Sequence, residues 1–157
     1  MLRQFIAATF ILALAGGAAY YYWPEEKPVC QICRRPMHRA TSYFVTLRDG
    51  RRVELCCPRC GLRFQEGRRD VESAEVVSYA DQELLQASEA FYVAGSSVHP
   101  CCSEAEILKD RSGIEYELTW DRCLPSVIAF KSREEASTFQ SRHGGEVKTY
   151  RELDGAN

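Results

Sequence analysis

The sequence predicts an α+β fold: an N-terminal transmembrane helix followed by two small related β-β-α-β halves, the first built round a treble-clef-like cysteine knuckle. Three observations predict it. Residues 5–23 form an uncharged, mostly apolar run. Two C-x2-C pairs, Cys30/Cys33 and Cys57/Cys60, bracket a strand, a turn and a strand. The pattern of strand, short helix, glycine and strand then recurs, ending in Val76-Val-Ser-Tyr79 in the first half and Val147-Lys-Thr-Tyr150 in the second.

The apolar run comes first. At helical rise its 19 residues cover about 28 Å, close to the hydrocarbon thickness of a bilayer. Arg3 on one side and Glu25-Glu26 on the other place the N-terminus in the cytoplasm, and Tyr20 to Trp23 form an interfacial aromatic belt. Ala13-Leu14-Ala15 also resembles a processing site, so a cleavable signal competes with an uncleaved anchor over 1–23. Either way the rest is exported, and the expected location is the periplasmic side of the cell inner membrane, held by a single span. A linker over 24–29 keeps the domain of residues 30–153 near the bilayer, with halves of about 30–80 and 81–153 and a tail over 154–157.

Five thiols, a thioether and an imidazole then fall within 31 residues: Cys30, Cys33, Met37, His38, Cys56, Cys57 and Cys60. Each C-x2-C loop lets two sulfurs converge on one ion about 2.3 Å away, and the second loop can close a tetrahedron. Thioether and thiolate donors together suit Cu(I) better than Zn(II), which makes Cys30, Cys33, Met37, Cys57 and Cys60 the candidate ligands, with Cys56 and His38 beside them. Met37 also fits as core filler, and a zinc or disulfide staple that only holds the fold remains open.

Between the knuckles, Ser42 to Arg48 and Arg52 to Cys56 read as a hairpin turned at Asp49-Gly50. Pro58 suits the first position of a helix and Gly67 its left-handed end, which sets Cys57 and Cys60 at a helix N-terminus, where thiolates are favoured. Glu75 to Tyr79 reads as a third strand. Residues 81–90 fit a short helix or the approach to a strand pair, and Phe91 to Ala94 is a strand. His99-Pro-Cys101-Cys102 opens a second sulfur-bearing stretch, with Cys123 following an exposed excursion over 104–121. A disulfide from Cys101 or Cys102 to Cys123 and a metal role are both open. Ser126 to Phe130 is a buried strand, Ser132-x-x-Glu135 a capping box, Ala136 and Phe139 the buried stripe of a helix ended by Gly144-Gly145, and Glu146 to Tyr150 a last strand. His143 sits in that helix's last turn as a structural residue.

Charge excludes little but is informative. With 20 Lys and Arg against 22 Asp and Glu, no global field draws nucleic acid, and the three Arg-Arg pairs are interleaved with acids. No spaced His/Asp/Ser pattern offers a hydrolytic base, so the chain reads as a non-enzyme.

Three stretches resemble the NosL-like family of exported, membrane-attached copper-binding accessory proteins of nitrous oxide reductase maturation. They are Cys30-x-x-Cys33 with Met37, then Ala90-Phe-Tyr-Val-Ala-Gly-Ser96, then Ile128 to Ala136 continuing through Phe139 to Gly144-Gly145-Glu-Val147. The resemblance implies Cu(I) held by sulfur on the periplasmic face, with Cys30, Cys33 and Met37 at the matching positions, and delivery to a recipient copper enzyme or assembly factor. The chain departs from the family pattern at Arg34-Arg35-Pro36, at His99-Pro-Cys101-Cys102, in the extra Cys56-Cys57 and in lacking an acylated cysteine. Two other functions fit the motifs: a structural zinc-binding interaction module, and a thiol-disulfide oxidoreductase working through Cys57-Pro-Arg-Cys60.

Overall fold

The computed structural model describes residues 28–37, 39–100, 107–109, 111–117 and 123–154. The expected membrane span lies outside them, and among the described residues no helix is long and apolar enough to cross a membrane. The chain folds into small antiparallel sheets with few helices, a mixed architecture that begins with β1 (Tyr43–Leu47) and β2 (Arg52–Leu55), paired in the expected hairpin. At its tip Gly50 takes φ 83, the Leu47 N–H donates to Arg51 C=O at 2.9 Å, and the Asp49 carboxylate accepts from the Arg51 backbone N–H. Asp-Gly supplies what this turn needs, a side-chain acceptor followed by a residue without a Cβ.

Helix α1 (Pro58–Gln65) follows directly, and β3 (Val71–Val77) returns along the open side of β1. This strand starts four residues before the position the sequence predicts. Val71 to Ala74 are recruited by backbone pairing to β1 while Glu72 and Ser73 face solvent, so they carry no apolar signal. The ambiguous stretch over 81–90 resolves as a short edge strand, β4 (Leu84–Gln86), on β3, giving the order β2-β1-β3-β4.

The second half repeats the scheme with β5 (Phe91–Ala94), β8 (Val127–Phe130), helix α2 (Arg133–His143) and β9 (Glu146–Thr149). Its order, β8-β5-β9, again puts the first strand of the unit at the centre. Where the first half has a tight turn between its two leading strands, the second has the excursion, which contains the small hairpin of β6 (Ile107–Lys109) and β7 (Glu115–Glu117). The Ser132 hydroxyl caps α2 by accepting the Glu135 N–H at 3.2 Å, and Gly144 ends the helix at φ 69. A last helix, α3 (Tyr150–Asp154), replaces the final residue of the expected strand. Its signal is Thr149-x-x-Glu152: the Glu152 carboxylate accepts both the Thr149 N–H and its hydroxyl at 2.7 Å.

Two apolar clusters hold the halves together. Strand β8 is buried on both faces and alternates between them. Val127 and Ala129 face the first half with Tyr92, whereas Ile128 and Phe130 face α2 with Val93 and Ala136. The larger cluster runs from Tyr43, Val45 and Leu55 through the cysteines to Leu153, so the sulfur atoms sit within the core that unites the halves.

Candidate metal centre

The first knuckle is a tight loop. The Cys30 N–H donates to Arg35 C=O at 2.8 Å, the Arg34 N–H donates to Cys30 C=O at 2.9 Å, and Val29 bridges Pro36. Arg34 takes φ 65, a left-handed conformation more usual for glycine or asparagine, which turns the chain back and leaves Cys30 buried and Cys33 partly exposed. Met37 continues this loop, its N–H bound to Pro28 C=O and its side chain partly buried against the core. His38 lies outside the described residues.

The second set stands where β2 runs into α1. The Thr41 hydroxyl fixes the Cys56 carbonyl by donating to it at 2.9 Å. Cys57 is the N-cap of α1, with φ −161 and no side-chain cap hydrogen bond, and Pro58 opens the helix. Cys60 lies in the first turn, fully buried. Gly61 follows because there is no room for a Cβ: one added there would lie 2.2 Å from Cδ1 of the buried Tyr43 ring. That contact seats α1, with its two cysteines, directly on β1.

All six described cysteines are reduced, and their sulfurs converge. The Sγ of Cys33 stands 3.4 Å from that of Cys56, Cys56 3.6 Å from Cys60, and Cys60 3.6 Å from Cys123. Two groups of four form: Cys30, Cys33, Cys56 and Cys60, and Cys56, Cys57, Cys60 and Cys123, the sulfurs of each group all within 4.8 Å of one another. A tetrahedron of sulfurs at about 2.3 Å from an ion has edges of about 3.8 Å, so the cluster needs little movement to close on a soft metal.

The structure thus places Cys30, Cys33 and Cys60 together as the motif spacing implies, and sets Cys56 beside them; the Cys57 sulfur belongs to the other group. Cys123, for which a disulfide and a metal role were both open, lies in the cluster as a thiol, 63 positions along the chain from Cys60. Cys101 and Cys102 lie outside the described residues. No local pattern announces Cys123. It arrives because the excursion ends beside the β2–α1 junction.

Crowding sets the proton affinities. Cys33 tends to raise the pKa of Cys30, but the thiols of Cys56 and Cys60 stabilise its thiolate more, bringing it down to about 6. Cys33 is itself held well below the ordinary thiol range: Cys123 opposes this, and Cys30, Cys56 and Cys60 together outweigh it. Cys60 is pushed up, by Cys123 first and then by Cys30 and Cys33. The outer loop thus favours thiolates and the centre of the cluster its proton, and a cation entering the cluster draws off that proton too. An oxidoreductase would need the opposite at the Cys57/Cys60 pair, an accessible thiol of lowered pKa, whereas both residues are buried.

The remaining candidates are structural. His143 stacks on Phe139 at 4.5 Å in the last turn of α2. Of the paired arginines, Arg51 bonds Asp49, Arg52 bonds Glu75 at 2.8 Å and Arg68 bonds Asp70 at 2.7 Å.

No family model matches the chain. Over 150 residues, which make up 94% of this chain and 68% of the relative, it is 22% identical to the HTH-type transcriptional repressor CutR of Bacillus subtilis (strain 168). Its structure is similar to the crystal structure of the copper chaperone NosL from Shewanella denitrificans, with a TM-score of 0.60 and 16% identity over 85% of this chain and 94% of that one. The fold is therefore NosL-like.

Proposed function

We propose that this chain is an exported, membrane-anchored Cu(I)-binding protein that passes its ion to a recipient copper enzyme or assembly factor on the periplasmic side. One observation carries the reading: the group Cys30, Cys33, Cys56 and Cys60, four sulfurs from two distant turns set at the spacing of a soft-metal shell inside a NosL-like fold. Sulfur ligands select soft ions, Cu(I) and zinc among them, and the likeness to a copper chaperone favours Cu(I). Cys33 is the member reached from solvent, so ions enter and leave there by stepwise ligand exchange, with Met37 on the same loop as an additional soft donor and His38, the next residue in the sequence, as a further candidate. The uncharged run over 5–23 supplies the anchor, and the role is that of a carrier with no reaction of its own.

The test is anaerobic titration of the full-length chain in detergent micelles with Cu(I), against a calibrated chelator. Tight stoichiometric binding, lost in Cys30→Ser and Cys33→Ser, is expected; failure to compete with the chelator refutes the reading. Four thiolates also make a sound zinc site, and a structural zinc module predicts one zinc per chain as purified and unfolding on chelation. Copper loading and removal with the fold intact separates the two.

A further inference from the structure

The cluster contains more sulfur than one ion can use. A tetrahedral ion takes four sulfurs, so an ion in the group of Cys30, Cys33, Cys56 and Cys60 leaves Cys57 and Cys123 outside its shell. Yet Cys57 is 4% exposed and Cys123 2%, and with Cys56 and Cys60 they form a second group as compact as the first. The two groups share an edge, the Cys56–Cys60 pair at 3.6 Å.

A second observation falls on the same side of that edge. A small, mostly apolar cavity of about 10 Å³ has Cys57, Cys123, Thr41 and His99 in its wall, beside Leu124 and Val127. It has room for about one water-sized species. The His99 Nδ1 is buried and has no hydrogen-bond partner among the described residues. Buried ring nitrogens are ordinarily satisfied, and in the tautomer that protonates the other ring nitrogen, Nδ1 offers its lone pair to an ion in this cavity.

We propose that the cluster is a two-ion site, with one soft-metal ion held by Cys30 and Cys33, a second by Cys57 and Cys123 with His99 at hand, and the sulfurs of Cys56 and Cys60 bridging them. The proposal rests on the soft-metal carrier reading and extends it. The bridge gives an ion taken up at the partly exposed Cys33 a path inward in which each step keeps it bound to sulfur. No electron moves; each thiol that becomes a ligand releases its proton to solvent.

Stoichiometry tests this on the full-length chain in micelles, loaded anaerobically with Cu(I), desalted and assayed for metal, with circular dichroism of every metal-free variant. Two ions per chain are expected for the unaltered protein. One is expected for Cys57→Ser and for Cys123→Ser, with the affinity for the remaining ion within about threefold. X-ray absorption of the unaltered, fully loaded chain should show metal–metal scattering, and that measurement decides the matter should a serine variant fail to fold. One ion per chain without metal–metal scattering overturns the two-ion site and leaves the carrier reading standing, as do two ions that both survive Cys57→Ser and Cys123→Ser. No copper uptake at all overturns both.

Discussion

Replacing Gly61 with alanine tests whether the seating of α1 on Tyr43 sets the sulfur geometry. The new Cβ would lie 2.2, 2.3 and 2.6 Å from Cδ1, Cγ and Cε1 of that ring. An ordinary carbon contact is about 3.5 Å, so the helix must retreat by about 1.3 Å or the ring must move. The ring is poorly placed to move: it is fully buried, and its hydroxyl accepts a hydrogen bond from Gln65 Nε2 at 2.9 Å. Overpacking of this kind costs about 1–3 kcal/mol, and the helix propensity gained from alanine returns up to about 1 kcal/mol. A net loss of about 1 kcal/mol lowers the urea midpoint of the metal-free chain by roughly 0.5 M. The same retreat carries Cys60, whose sulfur stands 3.6 Å from those of both Cys56 and Cys123, away from its neighbours, and copper affinity falls with it. Gly50→Ala is the control, since Gly50 has φ 83 with nothing within 4 Å of its added Cβ. It should cost about 1 kcal/mol of backbone strain and leave copper binding unchanged. A Gly61→Ala protein that melts and binds copper like the unaltered chain refutes the packing argument.

Other perturbations probe the elements that hold the cluster. Thr41→Val removes the hydroxyl that donates to the Cys56 carbonyl and leaves that acceptor buried, so stability should drop by about 1–3 kcal/mol in a urea melt. Ser132→Ala removes the cap of α2, which lies away from the cysteines, and should cost about 1 kcal/mol with no change in metal stoichiometry. Because the Cys33 pKa is depressed, its thiolate fraction is already full at neutral pH and falls only when the pH drops through the lowered value. Alkylation of Cys33 in the metal-free protein should therefore be nearly flat between about pH 6 and 8, where an ordinary thiol of pKa about 8.5 speeds up almost tenfold per unit. Peptide mapping that finds the ordinary slope at Cys33 would contradict the crowding argument.

What the sequence reveals and what it hides divide along physical lines. The Asp49-Gly50 turn, the Pro58 and Ser132 helix starts and the Gly144-Gly145 stop are written in local chemistry, and the structure has each of them in place. The start of β3 and the edge strand β4 are not, because their residues are recruited by pairing with a neighbouring strand. At the cluster, the C-x2-C spacing points to sulfurs that meet but cannot say which side of the helix start each one faces. Cys57, as N-cap, turns toward Cys123, while Cys56, still at the end of the strand, shares both groups. Spacing along the chain also says nothing about Cys123, since its approach depends on where a long excursion lands.

The pseudo-repeat explains why the excursion lands there. A tyrosine follows the third strand of each unit, two residues past β3 and directly after β9, and each tyrosine lodges in the other unit. Tyr79 stacks edge-on against Phe130 at 6.2 Å and Phe139 at 5.6 Å, and its N–H bonds Ala129 of β8 at 2.8 Å. Tyr150 packs on the larger cluster, and its hydroxyl donates to Gln65 Oε1 at 3.3 Å, the same side chain that holds Tyr43. This reciprocal exchange brings β8 against α1, so a chain entering β8 must pass the N-terminal end of that helix. Cys123 lies four residues before β8 and is thereby delivered to Cys60. The contacts that make the two halves one body are therefore the ones that complete the sulfur cluster, so the cluster and the folding core occupy the same place.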